Sequence, residues 1–92
     1  MVTWSSPARK DLKLIHEYIA QDSKFYAKKV IKDIVTRAMG LNDFPEMGRV
    51  LPEIGDSNIR EIFVYSYRII YQLANNGVEV LTFIHGKRDF NP

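Results

Sequence analysis

The side chains in this chain best suited to chemistry are cations gathered toward its C-terminus. Arg60, Arg68, Lys87 and Arg88 accompany one histidine, His85, within the run from Ile59 to Phe90. Guanidinium groups hold phosphate or carboxylate through paired N–H donors and stabilise charge developing on it. His85 is the one group of this set that exchanges a proton near neutral pH, so it is the candidate acid or base. Arg68 stands inside one apolar segment and His85 ends the next. If those segments are neighbouring strands, the side chains come within about 5–8 Å of one another. A second reading of the same residues is structural: Arg68 pairs with Glu61 or Glu79, and His85 is a polar cap at a strand end.

Other chemistries lack their parts. There is no glycine-rich phosphate loop, no His-x-x-x-His pair and no cysteine, so neither a cofactor nor a metal is expected. None of the five serines lies in a nucleophile-elbow context. The other histidine, His16, sits beside Ile15 in a helical pattern and reads as a surface residue. The aromatic set Phe63, Tyr65, Tyr67, Tyr71 and Phe83 can stack bases, but in a sheet covered by helices it reads as core. The absence of cysteine fits a reducing compartment. No signal-peptide pattern and no apolar run of about 18–20 residues is present, so a cytoplasmic protein with no membrane contact is expected.

The elements that position the cations follow from periodicity. Ile59–Tyr65 and Tyr67–Leu73 read as two strands joined tightly around Ser66, and Val78–His85 as a third after the Asn75-Asn76-Gly77 hairpin signal. In the middle strand Tyr67, Ile69, Tyr71 and Leu73 share one face, and Arg68, Ile70 and Gln72 the other. Upstream, Val2-Thr3-Trp4 is β-prone and Ser5-Ser6-Pro7 signals a helix start. Ala8, Leu12, Ile15 and Ile19 form one helical stripe. Asp22 or Ser23 caps a second helix, whose stripe is Ala27, Val30, Ile31, Ile34, Val35, Ala38 and Leu41, with Lys28, Lys29 and Lys32 outward. Gly40 weakens its last turn, and Pro45 limits it beyond Phe44. Pro45 to Pro52 reads as a turn-rich connector, and Gly55-Asp56-Ser57-Asn58 as a second turn cluster.

The 92 residues make one domain: an edge strand over 1–5, a helical hairpin over 6–44, and three strands with a C-terminal tail over 59–90. Helices segregated from strands argue an α+β fold, with the hairpin packed on a small, mainly antiparallel sheet and the N-terminal segment as a fourth strand at an edge. The formal net charge is +2, and the basic excess lies in residues 1–45, the helical part. A domain this small is helped by burial against a partner protein.

Several fragments resemble the RelE/ParE superfamily of toxins from type II toxin–antitoxin systems. They are Trp4, Ala8, Asp11-Leu12, Ile15 and Tyr18-Ile19; the connector Phe44-Pro45-Glu46-Met47-Gly48-Arg49; Arg60-Glu61-Ile62; Tyr67-Arg68-Ile69-Ile70-Tyr71; and the run Val80 to Asp89. Their order and spacing span essentially the whole chain. The resemblance implies a β-α-α-β-β-β toxin neutralised by a cognate antitoxin in a heteromeric complex. It implies one of two targets. RelE-like members cut mRNA in the ribosome with basic residues and, in several, a C-terminal Tyr or His; ParE-like members bind DNA gyrase and are not nucleases.

On that resemblance Arg68 and Arg88 match the nucleases' phosphate-binding arginines, and with His85 they form the catalytic set of a RelE-like enzyme. Arg49, Arg60, Lys87 and Phe90 form the target-binding set. Two departures favour the ParE-like branch. Ile59, Arg60 and Glu61 stand where the nucleases present lysines, and Phe90 stands where they have a catalytic tyrosine. Phenylalanine has no proton to exchange. A third possibility is an inactive toxin fold that serves only as an antitoxin-bound partner.

Overall fold

The computed structural model describes residues 1–85. Within them the chain runs β1 (Val2–Trp4), α1 (Ser6–Ala20), α2 (Lys24–Met39), a short 3-10 turn (Gly40–Asn42), β2 (Arg49–Val50), β3 (Ile59–Val64), β4 (Tyr67–Ala74) and β5 (Gly77–His85). The strands form one five-stranded sheet in the order β1-β5-β4-β3-β2. β1 runs parallel to β5 and every other pairing is antiparallel. The α+β expectation holds, with one correction. The connector contributes a fifth strand, β2, whose two residues pair with Glu61 and Arg60 at the open edge. Two residues are too few to leave an alternating pattern in the sequence.

Each helix begins where a hydroxyl satisfies an orphan N–H. Ser5 Oγ accepts from the Ala8 amide at 3.1 Å, and Ser23 Oγ from the Tyr26 amide at 3.1 Å. Ala8 of α1 and Ala27, Val30, Ile34 and Ala38 of α2 are buried. Ala8, Val30, Ile34 and Ala38 close on Ile62, Val64, Ile69, Tyr71, Val78, Val80 and Phe83 of the sheet, with Leu12, Ile15 and Ile19 packed around them. At about 1.5–3 kcal/mol per buried large apolar side chain, this layer supplies most of the fold's driving force.

Alternation alone would put Val78 and Val80 on one face of β5 and Phe83 and His85 on the other. The structure puts all four on the helix side, because β5 carries a bulge. Ile70 pairs with Thr82 but Tyr71 with Val80, so Leu81 is an extra residue. The N-cap of α1 and Asp11 within the helix satisfy the irregular backbone. The Ser5 amide donates to the Val80 carbonyl at 2.9 Å and the Ser5 hydroxyl to the Leu81 carbonyl at 2.7 Å. The Asp11 carboxylate accepts from the Phe83 amide at 3.1 Å and from the Thr82 hydroxyl. One capping segment thus starts a helix and fixes the parity of the last strand.

The hairpin between β4 and β5 is the Asn75-Asn76 turn, but positive φ falls only on Gly77, at 137°. A side chain at Gly77 would collide with the Met1 backbone, whose carbonyl accepts from the Val78 amide.

Candidate functional site

Arg68 lies on the sheet face away from the helices, opposite Phe63 on β3 and Ile84 on β5. It is 5 % exposed. Its Nε donates to Glu61 Oε1 at 2.7 Å, while Nη1 and Nη2 face the two carboxylate oxygens of Glu53 at 2.9 Å each. Both edges of the guanidinium fork are therefore filled by carboxylate, the geometry that also suits phosphate. The hydrogen bond to Glu53, and after it the one to Glu61, pushes the guanidinium pKa up against the opposing effect of burial. Arg68 is cationic at any working pH.

Glu61 is shared. Its second oxygen takes Arg49 Nε, from the strand opposite it in register. Arg49 keeps most of its side chain in solvent and lies over the Phe63 ring, 5.7 Å from the centroid. The result is an alternating chain, Arg49–Glu61–Arg68–Glu53, with Leu51 and Ile70 buried on the sheet side away from the main core cluster. Of the two partners expected for Arg68, Glu61 is present. Glu79 instead pairs in register with Gln72, four residues along β4. Glu53 takes that place from a turn that gives no periodic signal of its own.

His85 does not join this group. The Leu81 bulge turns it to the helix side, opposite Tyr67, where the two rings meet edge to face at 5.2 Å between centroids. With Leu14, Ile15 and Tyr18 of α1 these rings line a groove of about 280 Å³. Burial raises the Tyr67 pKa, and Leu14 and Tyr18 are largely exposed along the groove. Beside it the β3–β4 turn holds Tyr65 at φ 56°, an uncommon conformation for a large side chain. Its hydroxyl donates to Asp33 of α2, which also accepts from Lys29. The bond from Tyr65 lowers the Asp33 pKa first, and Lys29 adds to the effect.

Arg60 points to the helix side, level with Tyr71, and is spent on backbone. Its Nε donates to the Ser57 carbonyl at 3.0 Å and its Nη1 to the Gly48 carbonyl at 3.0 Å and the Glu46 carbonyl at 3.4 Å. The buried Tyr71 hydroxyl accepts from the Gly48 amide at 2.9 Å and donates to the Pro45 carbonyl at 2.8 Å. Burial is the main cause of its raised pKa. A Cβ at Gly48 would stand 2.6 Å from that hydroxyl and 2.5 Å from the Glu61 carbonyl, which is why glycine occupies the position. Aromatic content alone does not reveal this second role of Tyr71.

The remaining expected site residues, Lys87, Arg88 and Phe90, lie outside the described residues. Among the described residues no group of three His, Cys, Asp or Glu side chains can hold a metal ion. Among them, too, no helix is long and apolar enough to cross a membrane.

Comparison with known proteins agrees with this geometry. A chain of known structure, described as "Chromosomal ParDE TA system from P. aeruginosa", superposes with a TM-score of 0.78 over 94 % of this chain and 95 % of that one. At 18 % identity it speaks for the fold alone. The Toxin RelE2 of Caulobacter vibrioides is 32 % identical over 88 residues, which cover 95 % of this chain and 96 % of that protein. The family model described as "ParE toxin of type II toxin-antitoxin system, parDE" matches residues 2–90. The chain is therefore a member of the ParE family, a toxin of a type II toxin–antitoxin system.

Proposed function

We propose that the protein acts in the cytoplasm as a ParE-like binding module that arrests growth by engaging DNA gyrase, and that a cognate antitoxin neutralises it. The observation that carries this reading is the occupied fork of Arg68. The strand arginine suited to a scissile phosphate already binds Glu61 and Glu53, and His85 faces away from it. Arg68 and His85 therefore do not come together as the cation and imidazole that acid–base cleavage of RNA at this strand would require. Inhibiting an enzyme by occupying its surface requires no such pair.

The test is gyrase supercoiling in the presence of purified protein. Inhibition, or trapping of cleaved DNA, is expected; no effect at stoichiometric excess overturns the reading. Cleavage of mRNA on translating ribosomes, abolished by Arg68→Lys, would establish the RelE-like activity instead. Induction without growth arrest would leave an inactive toxin fold.

For the antitoxin, family membership implies a protein partner. The groove between α1 and the sheet, lined by Leu14, Ile15, Tyr18, Tyr67 and His85, offers it apolar burial. Lys28, Lys29 and Lys32 on α2 offer positive charge, so an apolar segment flanked by acidic residues fits. Co-purification with such a partner, lost in Leu14→Asp/Tyr18→Asp, is the expected result.

A further inference from the structure

The loop of residues 43–47 joins two properties that seldom occur together. Its side chains are left in solvent: Phe44 is 67 % and Met47 48 % exposed, and Asp43, Phe44, Pro45, Glu46 and Met47 line a shallow apolar depression. Its backbone, in contrast, is fastened from beneath. Tyr71 bonds the Pro45 carbonyl and the Gly48 amide, and Arg60 bonds the Glu46 and Gly48 carbonyls. The loop also closes on itself through the Met47 amide and the Phe44 carbonyl at 3.1 Å. Exposed apolar side chains ordinarily cost solubility and bring no stability to the free protein. Holding the backbone that carries them in one geometry lowers the ordering entropy lost when they enter a partner's pocket.

Charge says what kind of pocket. Asp43 and Glu46 are the only ionisable side chains among residues 43–47, and both are acidic. The helical hairpin carries the opposite sign, with Lys28, Lys29 and Lys32 in one short run. A partner segment matched to the lysine face is mismatched to the loop, so the two surfaces select different chemistry.

We propose that the 43–47 loop is the anchor by which the protein grips its target, and that the target presents an apolar pocket rimmed by lysine or arginine. Phe44 and Met47 fill the pocket, Asp43 and Glu46 pair with its rim, and Tyr71 and Arg60 keep the loop in its binding shape. This rests on the reading that the target is gyrase.

Titration calorimetry of intact gyrase against the full chain tests both claims separately. The wild-type protein is expected to bind, and Phe44→Ala/Met47→Ala to bind at least about ten-fold more weakly. The melting temperature should not fall, since both side chains are already in solvent. Asp43→Asn/Glu46→Gln is expected to weaken binding less and to flatten its salt dependence. Equal binding by wild type and Phe44→Ala/Met47→Ala overturns the anchor while leaving the gyrase reading intact. Failure of the wild type to bind overturns both.

Discussion

The two faces of the sheet are closed by different physics. On the helix side, apolar side chains from two helices interlock with Ile62, Ile69, Val78, Val80 and Phe83. On the other side a buried guanidinium and two carboxylates are held by one another beside Leu51 and Ile70. An apolar layer fails by degrees, because each lost methylene costs its own transfer and cavity energy. A buried ion chain fails in larger steps, because removing a buried member takes a partner from charges that stay out of water. The charged face can therefore look like an anion-binding site in sequence while acting as a clasp in the fold.

The sharpest way to break the comparison is to open the clasp. Glu61→Ala takes a buried carboxylate from both Arg68 and Arg49, and is expected to cost about 3–5 kcal/mol by urea unfolding. A loss below about 1 kcal/mol would mean that solvent already shares the site. Next comes the tyrosine that joins the helix-side core to the 43–47 loop. Tyr71→Phe removes an acceptor for the Gly48 amide and a donor to the Pro45 carbonyl, and is expected to cost about 1–3 kcal/mol.

The same tyrosine gives the pH dependence. Its folded pKa lies above the unfolded value of about 10, so its contribution is complete below that pH and is lost as pH rises through the folded pKa. Stability should therefore fall on the alkaline side, and Tyr71→Phe should flatten part of that fall. A profile unchanged by Tyr71→Phe would contradict the assignment. On the apolar face Ile69→Val is expected to cost only about 0.5–1.5 kcal/mol, the graded response of a packed layer. The smallest effect belongs to the exposed end of the ion chain. Arg49, with 63 % of its side chain in solvent, should cost less than about 1 kcal/mol when changed to Ala.

Much of the fold was legible because its signals are local. Both helices show in their apolar stripes, and Ser5 and Ser23 stand where the caps are found. The three long strands show in runs of Ile, Val, Phe and Tyr closed by short turns. The site was legible only in part. The sequence pattern puts Arg68 on the face it occupies and offers Glu61 as one of two partners, since alternation along β3 and β4 is regular there. His85 is expected beside Arg68 but lies on the other face, because the Leu81 bulge that reverses its side depends on contacts of the Ser5 hydroxyl and the Asp11 carboxylate with the β5 backbone, some seventy residues away. Glu53 was hidden for a similar reason: a carboxylate in an irregular turn acquires its role only when the turn folds over the sheet. The roles of Arg60 and Tyr71 likewise rest on carbonyls, which every residue has and no sequence pattern marks.

The central claim is that Arg68 is a structural cation in a toxin that works by binding, with replication as its target. Inducing the protein in cells and following labelled nucleoside and amino-acid incorporation side by side tests it most directly. The account predicts that DNA synthesis stops first while protein synthesis continues. Arrest of translation first, with fragmented mRNA, would contradict it.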